Sequence, residues 1–318
     1  MKKAAVAGAL ALAALGLSVP VSAHATTVSP QPTASVSPTP SPSSSTAPSP
    51  SPSTTSTPPP VQERKTLVKY GRHVKQRMDV YWRANDPLTR PVVFMIHGGW
   101  WSGGDKAYMK AVTRSYFDLG YVVVNINYRL SGDARWPAQR DDALDAIATA
   151  RLMAGQFGLD ADRYAIIGFS AGGHIAASVG TYGDGLPGLR AVVGVSPVIS
   201  PLSAYADGGA DATHEQRKLR QAAVALAGGC RPTRCPRVWS SMEVPFHASA
   251  GDAPMLSVHS TREFVPPYQS ELLRESLAPY GVNMSVRKYP GHYHSSPLFR
   301  EPGVAETIQT WVIGHLAY

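Results

Sequence analysis

The sequence predicts an α/β fold, a mostly parallel central sheet with helices on both faces. Three observations carry that expectation. Pro91-Val-Val-Phe-Met-Ile96 and Tyr121-Val-Val-Val-Asn-Ile126 are short apolar runs of the kind found in central parallel strands buried on both sides. From residue 66 onward, strand-like and helix-like patterns alternate. Finally, Gly168-Phe169-Ser170-Ala171-Gly172 falls where a predicted strand hands over to a predicted helix.

Taken in order, Lys75 to Arg83 alternates like a half-buried strand, with Met78, Val80 and Trp82 on one side. The apolar run 91–96 follows, then a helix within Asp105 to Leu119, then the run 121–126. Pro137 opens a second helix, where its missing N–H costs nothing, and Ala143, Ile147, Ala150 and Ala154 recur along it at helical spacing. Arg163 to Phe169 reads as a strand running into the serine, and Ala171 to Val179 as a helix of small residues. A strand from Arg190 to Val195, an irregular stretch from about Ser200 to Ala253, and a strand from Met255 to His259 come next. A helix from Tyr268 to Pro279, a strand from Met284 to Tyr289 and a last helix from Val304 to Leu316 complete the pattern.

The first 60 residues read differently. Lys2 and Lys3, an apolar run from Ala4 to about Val19, and Ala23-His24-Ala25 form the pattern of a secretory signal, predicted over residues 1–25. Residues 26–60 carry no charge and 11 of the chain's 28 prolines, among Ser and Thr. Such a segment cannot bury enough apolar surface to offset its ordering entropy, so a disordered linker is expected, with contact to the cell envelope a further possibility. Residues 61–318 are long enough for one sizeable core and form the expected catalytic domain. The expectation is thus a secreted protein, extracellular or envelope-associated, with no membrane-spanning segment once the signal is cut. The formal charge is +8, of which Lys2 and Lys3 carry two; Arg217, Lys218, Arg220, Arg231, Arg234 and Arg237 concentrate part of the rest. No nucleic-acid-binding module is evident. The two cysteines, Cys230 and Cys235, are close and even in number, which in an exported chain suggests a disulfide. A zinc site would need two further ligands, and neither a metal nor a cofactor motif is evident.

The chemistry centres on Ser170. A strand-to-helix turn demands small flanking residues, which Gly168, Ala171 and Gly172 supply, and it lifts the serine hydroxyl clear of the sheet. His97-Gly98-Gly99-Trp100 follows the strand 91–96, and a Gly-rich loop can aim backbone N–H groups at a developing oxyanion. Gly98, Gly99, Trp100 and Ala171 are the candidate donors, while His97 reads as a loop-stabilising residue. A serine nucleophile needs a base, which in a sheet of this kind follows the last strand; Tyr289-Pro-Gly-His-Tyr-His-Ser-Ser offers His292 and His294. The acid that orients the base should follow strand 255–259, where Glu263 is the carboxylate available; Asp252 lies at that strand's other end. His174 and His259 read as structural.

Several motifs in order resemble one group of the α/β-hydrolase superfamily, the bifunctional feruloyl/acetyl-xylan esterases, with kynurenine-formamidase-like and hormone-sensitive-lipase-like enzymes as relatives. They are His97-Gly-Gly-Trp with Gly103-Gly-Asp-Lys106, Asn127-Tyr-Arg-Leu-Ser-Gly132, Trp136-Pro-Ala-Gln-Arg-Asp-Asp142, Gly168-Phe-Ser-Ala-Gly-Gly-His174 and Pro290-Gly-His-Tyr-His294. The resemblance implies the α/β-hydrolase fold, chooses His294 over His292 as the base, and gives Asp142 a supporting role. It breaks at the acid. The group shows His-Gly-x-x-Asp, whereas His259-Ser-Thr-Arg-Glu263 has glutamate in a loop one residue shorter. The extra methylene can compensate for the shifted loop.

The expected activity is a serine carboxylic ester hydrolase working through an acyl-enzyme on small-molecule or carbohydrate-linked esters, with acetyl or feruloyl groups as candidates. Trp100, Trp101, Trp136 and Tyr293 on loops near the site suit a sugar-linked substrate or, equally, ordinary packing. No long apolar lid is evident, which argues against a true lipase. An amidase or exopeptidase would use the same triad, and a non-catalytic envelope-associated binding protein is the third class weighed.

Overall fold

The computed structural model describes residues 59–317. The segment 1–25 expected as a signal and residues 26–58 of the expected linker lie outside the described residues.

Eight strands form one sheet in the order β1-β2-β4-β3-β5-β6-β7-β8. β1 (Gln62–Lys69) and β2 (Arg77–Ala84) form an antiparallel pair, and β2 also runs antiparallel to β4 (Val122–Ile126). From β4 onward every pairing is parallel, through β3 (Arg90–Ile96), β5 (Leu159–Phe169), β6 (Leu189–Val195), β7 (Met255–Ser260) and β8 (Met284–Tyr289). The apolar runs of β3 and β4 are continuous because each face of the sheet has its own core. Val92, Phe94 and Ile96 pack to one side with α2 (Ala138–Leu152) and α4 (Ala171–Gly180). Val93 and Met95 pack to the other with α1 (Lys110–Asp118) and α10 (Val304–Leu316). Each such fully buried aliphatic or aromatic side chain contributes roughly 1.5–3 kcal/mol relative to exposure.

The structure corrects the sequence expectation in two places. β1 lies within a stretch given no element, since only Val68 of its eight residues is buried and its charged side chains hide the strand period. The stretch expected to be irregular, 200–253, is largely helical: α5 (Pro201–Asp207), α6 (His214–Leu226) and α7 (Pro236–Met242), then a 3₁₀ turn Val244–His247. A short α3 (Ala154–Phe157) follows α2, α8 (Tyr268–Leu277) joins β7 to β8, and a single-turn α9 (Ser296–Phe299) precedes α10. Cys230 and Cys235 are joined by a disulfide in the α6–α7 connection. No helix among the described residues is long and apolar enough to cross a membrane.

Candidate active site

β5 ends at Phe169 and α4 begins at Ala171, so Ser170 alone makes the turn, with φ 53° and ψ −117°. Its amide is anchored on the Val195 carbonyl of the neighbouring strand at 2.9 Å. Glycine at 172 is required by close approach: a Cβ there would lie 2.4 Å from the carbonyl oxygens of Ile96 and His97. The same holds at Gly98, where a Cβ would lie 2.7 Å from the Phe169 carbonyl oxygen. The Gly-rich loop after β3 is therefore seated directly against the serine turn.

His294 Nε2 lies 2.7 Å from Ser170 Oγ, and His294 Nδ1 lies 2.5 Å from Glu263 Oε2. The loop after β8 is fixed on both sides of the histidine. Ser260 Oγ donates to the Tyr293 carbonyl at 2.5 Å, and the Ser295 amide donates to Ser196 Oγ at 2.8 Å. His292 is exposed against Tyr293 and takes no part.

Glu263 is buried and its two oxygens have different partners. Oε2 faces His294, while Oε1 accepts from His259 Nδ1 at 2.8 Å and from the Ser260 amide at 3.1 Å. His259 is wholly buried, and its Nε2 is 2.8 Å from Ser270 Oγ on α8. Burial pushes the Glu263 pKa up, but the hydrogen bonds from His259 and His294 outweigh it and hold the carboxylate below its ordinary value. The glutamate expected from sequence is thus brought to the histidine expected as the base. The second histidine on the same carboxylate was read from sequence only as structural.

Gly98, Gly99 and Trp100 line a pocket of about 240 Å³ with Ser170 and His294, closed by Tyr108, Met109 and Phe264. Ala171 follows the serine at the first position of α4. Among the described residues no acceptor is found for the amides of Gly98, Gly99, Trp100 or Ala171, and the first three belong to residues that line the pocket. Helix α4 also presents its positive end there. His97 is buried beside this loop, stacked on Tyr128 at 4.4 Å with Nδ1 2.8 Å from the Gly98 carbonyl, and burial lowers its pKa to about 4. The loop is braced from behind. Tyr128 donates to the His97 carbonyl, and the adjacent Arg129 makes a forked ion pair with the fully buried Asp142 of α2.

Of the aromatic candidates, Trp100 lines the pocket, stacked on Phe264 at 5.1 Å, and the Phe264 ring lies 4.2 Å from that of His294. Trp101 and Trp136 are packing residues: both are buried against His174, whose Nε2 meets the Met242 carbonyl.

A parallel sheet with a serine turn after β5, a histidine loop after its last strand and an acid after the strand between defines the α/β-hydrolase class. Comparison with solved structures agrees on the fold. Esterase B of Lactobacillus rhamnosis superimposes with a TM-score of 0.67 at 20% identity, over 81% of this chain and 86% of that one. An acetyl ester-xyloside bifunctional hydrolase of Caldicellulosiruptor lactoaceticus gives 0.66 at 20% identity, over 80% and 98%. The BD-FAE family model matches residues 78–277, more than half of the chain, and the chain belongs to that family. Among curated proteins it is similar to esterase LipC of Mycobacterium tuberculosis, 38% identical over 123 residues. That match covers 38% of this chain and spans 30% of the relative's length.

Proposed function

We propose that this chain hydrolyses carboxylic esters through an acyl-enzyme on Ser170. The hydrogen-bonded run from Glu263 through His294 to Ser170, opening beside unpartnered amides, carries the reading. Ser170 Oγ attacks the ester carbonyl carbon while His294 Nε2 takes its proton; the oxyanion forms against the amides of Gly98, Gly99, Trp100 and Ala171. Collapse breaks the C–O bond, and the alcohol leaves with the proton returned from His294. Water, deprotonated by the same nitrogen, then attacks the acyl-enzyme and frees the acid and Ser170. Glu263 holds the ring with Nε2 towards the serine and stabilises its charged form.

Membership of the BD-FAE family and similarity to LipC support an ester rather than another acyl substrate. The pocket of about 240 Å³ falls below the range of sites for drug-sized ligands. A cleft of that size suits a small acyl group such as acetyl or feruloyl, and the acetyl ester-xyloside hydrolase among the structural neighbours points to carbohydrate as its carrier. Export belongs to the same proposal, on the strength of Lys2, Lys3, the apolar run and Ala23-His24-Ala25. It is checked by the N-terminus of protein recovered outside the cell, which should be Thr26.

The test is labelling by a fluorophosphonate probe and turnover of short p-nitrophenyl esters beside the matched amides. Ser170→Ala should abolish labelling and lower turnover by on the order of 10⁴-fold or more. Labelling or turnover that persists in the variant refutes the nucleophile, and faster cleavage of the amides would reassign the substrate.

A further inference from the structure

The segment between β6 and β7 follows the strand next to the one that leads into Ser170, and it carries several cations. Among the described residues none of Arg217, Lys218, Arg220, Arg231, Arg234 and Arg237 has a carboxylate partner.

Three of the unpaired groups share one pocket. Arg217, Arg220 and Arg231 line a cavity of about 410 Å³ with Tyr205, Gln221 and Val224, and no carboxylate lines it. Two of the guanidinium groups are held in place. Arg220 sits 3.8 Å from the Tyr205 ring centre and donates to the Tyr205 carbonyl, and Arg217 donates to the Ala212 carbonyl. A guanidinium has five N–H donors, so these anchors leave most of them unspent. Planar guanidinium forks without an internal counter-ion match an external carboxylate in geometry and charge.

The pocket also adjoins the ester site. Lys218, next to Arg217 on α6, holds Nζ 4.7 Å from the ring centre of Trp100, which lines the Ser170 pocket. Neighbouring residues of α6 thus reach the two pockets, Arg217 the basic one and Lys218 the ring of Trp100. A substrate that engages both has to be oligomeric rather than a small ester.

We propose that this basic pocket is a subsite for a carboxylate on the non-reacting part of the substrate, so that the preferred substrates are esters carried on an acidic oligosaccharide or polysaccharide. The substrate assignment rests on the ester-hydrolase reading above; the anion site does not.

The test compares acetylated oligogalacturonide, acetylated xylo-oligosaccharide and p-nitrophenyl acetate. The wild-type kcat/KM for the acidic oligomer should exceed that for the neutral one by about 10-fold at about 50 mM salt, and the gap should close at about 500 mM, where exposed charges are screened. The double variant Arg217→Gln/Arg231→Gln should lose the preference with p-nitrophenyl acetate turnover held within about twofold; Arg220 is spared because it braces Tyr205. Equal handling of the two oligomers by the wild type, or a preference retained in the double variant, overturns the proposal. Calorimetry of the Ser170→Ala protein with unacetylated oligogalacturonide reads the pocket without turnover. Binding there that disappears on adding the two glutamine substitutions supports the subsite even if every ester proves inert, in which case the hydrolase reading alone fails. Binding no tighter than that of inorganic phosphate refutes the carboxylate assignment.

Discussion

Glutamate in place of aspartate gives the acid one more rotatable bond, and an acid free to turn would hold the base less well. Glu263 removes that freedom by dividing its oxygens: His259 and the Ser260 amide hold Oε1, and His294 has Oε2 to itself. His259, in turn fixed by Ser270, is therefore a positioning residue. Glu263→Ala should lower kcat by about 10³–10⁴-fold. His259→Leu should lower kcat about tenfold or more with little change in KM, and shift the acid limb of the pH–rate profile. His259→Asn, which keeps a donor in the place of Nδ1, should recover most of that loss. Equal losses in both variants together with a lower melting temperature would mean that His259 supports only the fold. Ser170 was legible because a turn chemistry betrays it in one dimension; loop position narrowed the base only to His292 and His294, and the family resemblance chose between them. The second partner of Glu263 was not legible, since it depends on how the loop after β7 folds back on its own strand.

Among the elements, the two antiparallel strands and the helices of 200–253 separate what the pattern reveals from what it hides. The buried runs of β3 and β4 stand out because both faces are covered, while β1 is a charged edge strand held by its ladder to β2. α6 carried a usable signal, the Thr213 and Gln216 capping box ahead of Leu219, Ala222, Ala223 and Leu226. Its exposed charges made the stretch read as irregular. α5 depends on a buried acid from outside its own segment: Glu243 accepts from the Leu202 amide at 2.7 Å and from Ser200 Oγ. Burial raises the Glu243 pKa from 4.5 to about 7 against those bonds. A folded-state pKa above the unfolded one gives stability that is complete below the ordinary value and lost as pH rises through about 7. Melting temperature should therefore fall between about pH 5 and pH 8, and Glu243→Gln should flatten that slope. An unchanged slope in the variant would place the titration elsewhere.

At the scale of the whole molecule, the α/β class was readable from alternating apolar runs together with the serine motif at a strand-to-helix junction, whereas the order of strands in the sheet, with β4 between β2 and β3, was not. The serine turn has a further consequence for the stability of the entire domain. A residue with a Cβ held at φ 53° and ψ −117° stores on the order of 1–3 kcal/mol of conformational energy, and the folded state carries that load to keep the hydroxyl raised. Ser170→Ala and Ser170→Gly both lack the hydroxyl and differ only in the Cβ. After the glycine's extra unfolded-state entropy is set against the relief, about 1 kcal/mol should remain in its favour. The glycine variant should then melt about 2–4 °C above the alanine variant. If it melts below, the turn is relaxed and the domain has given up no thermal stability to hold its nucleophile there.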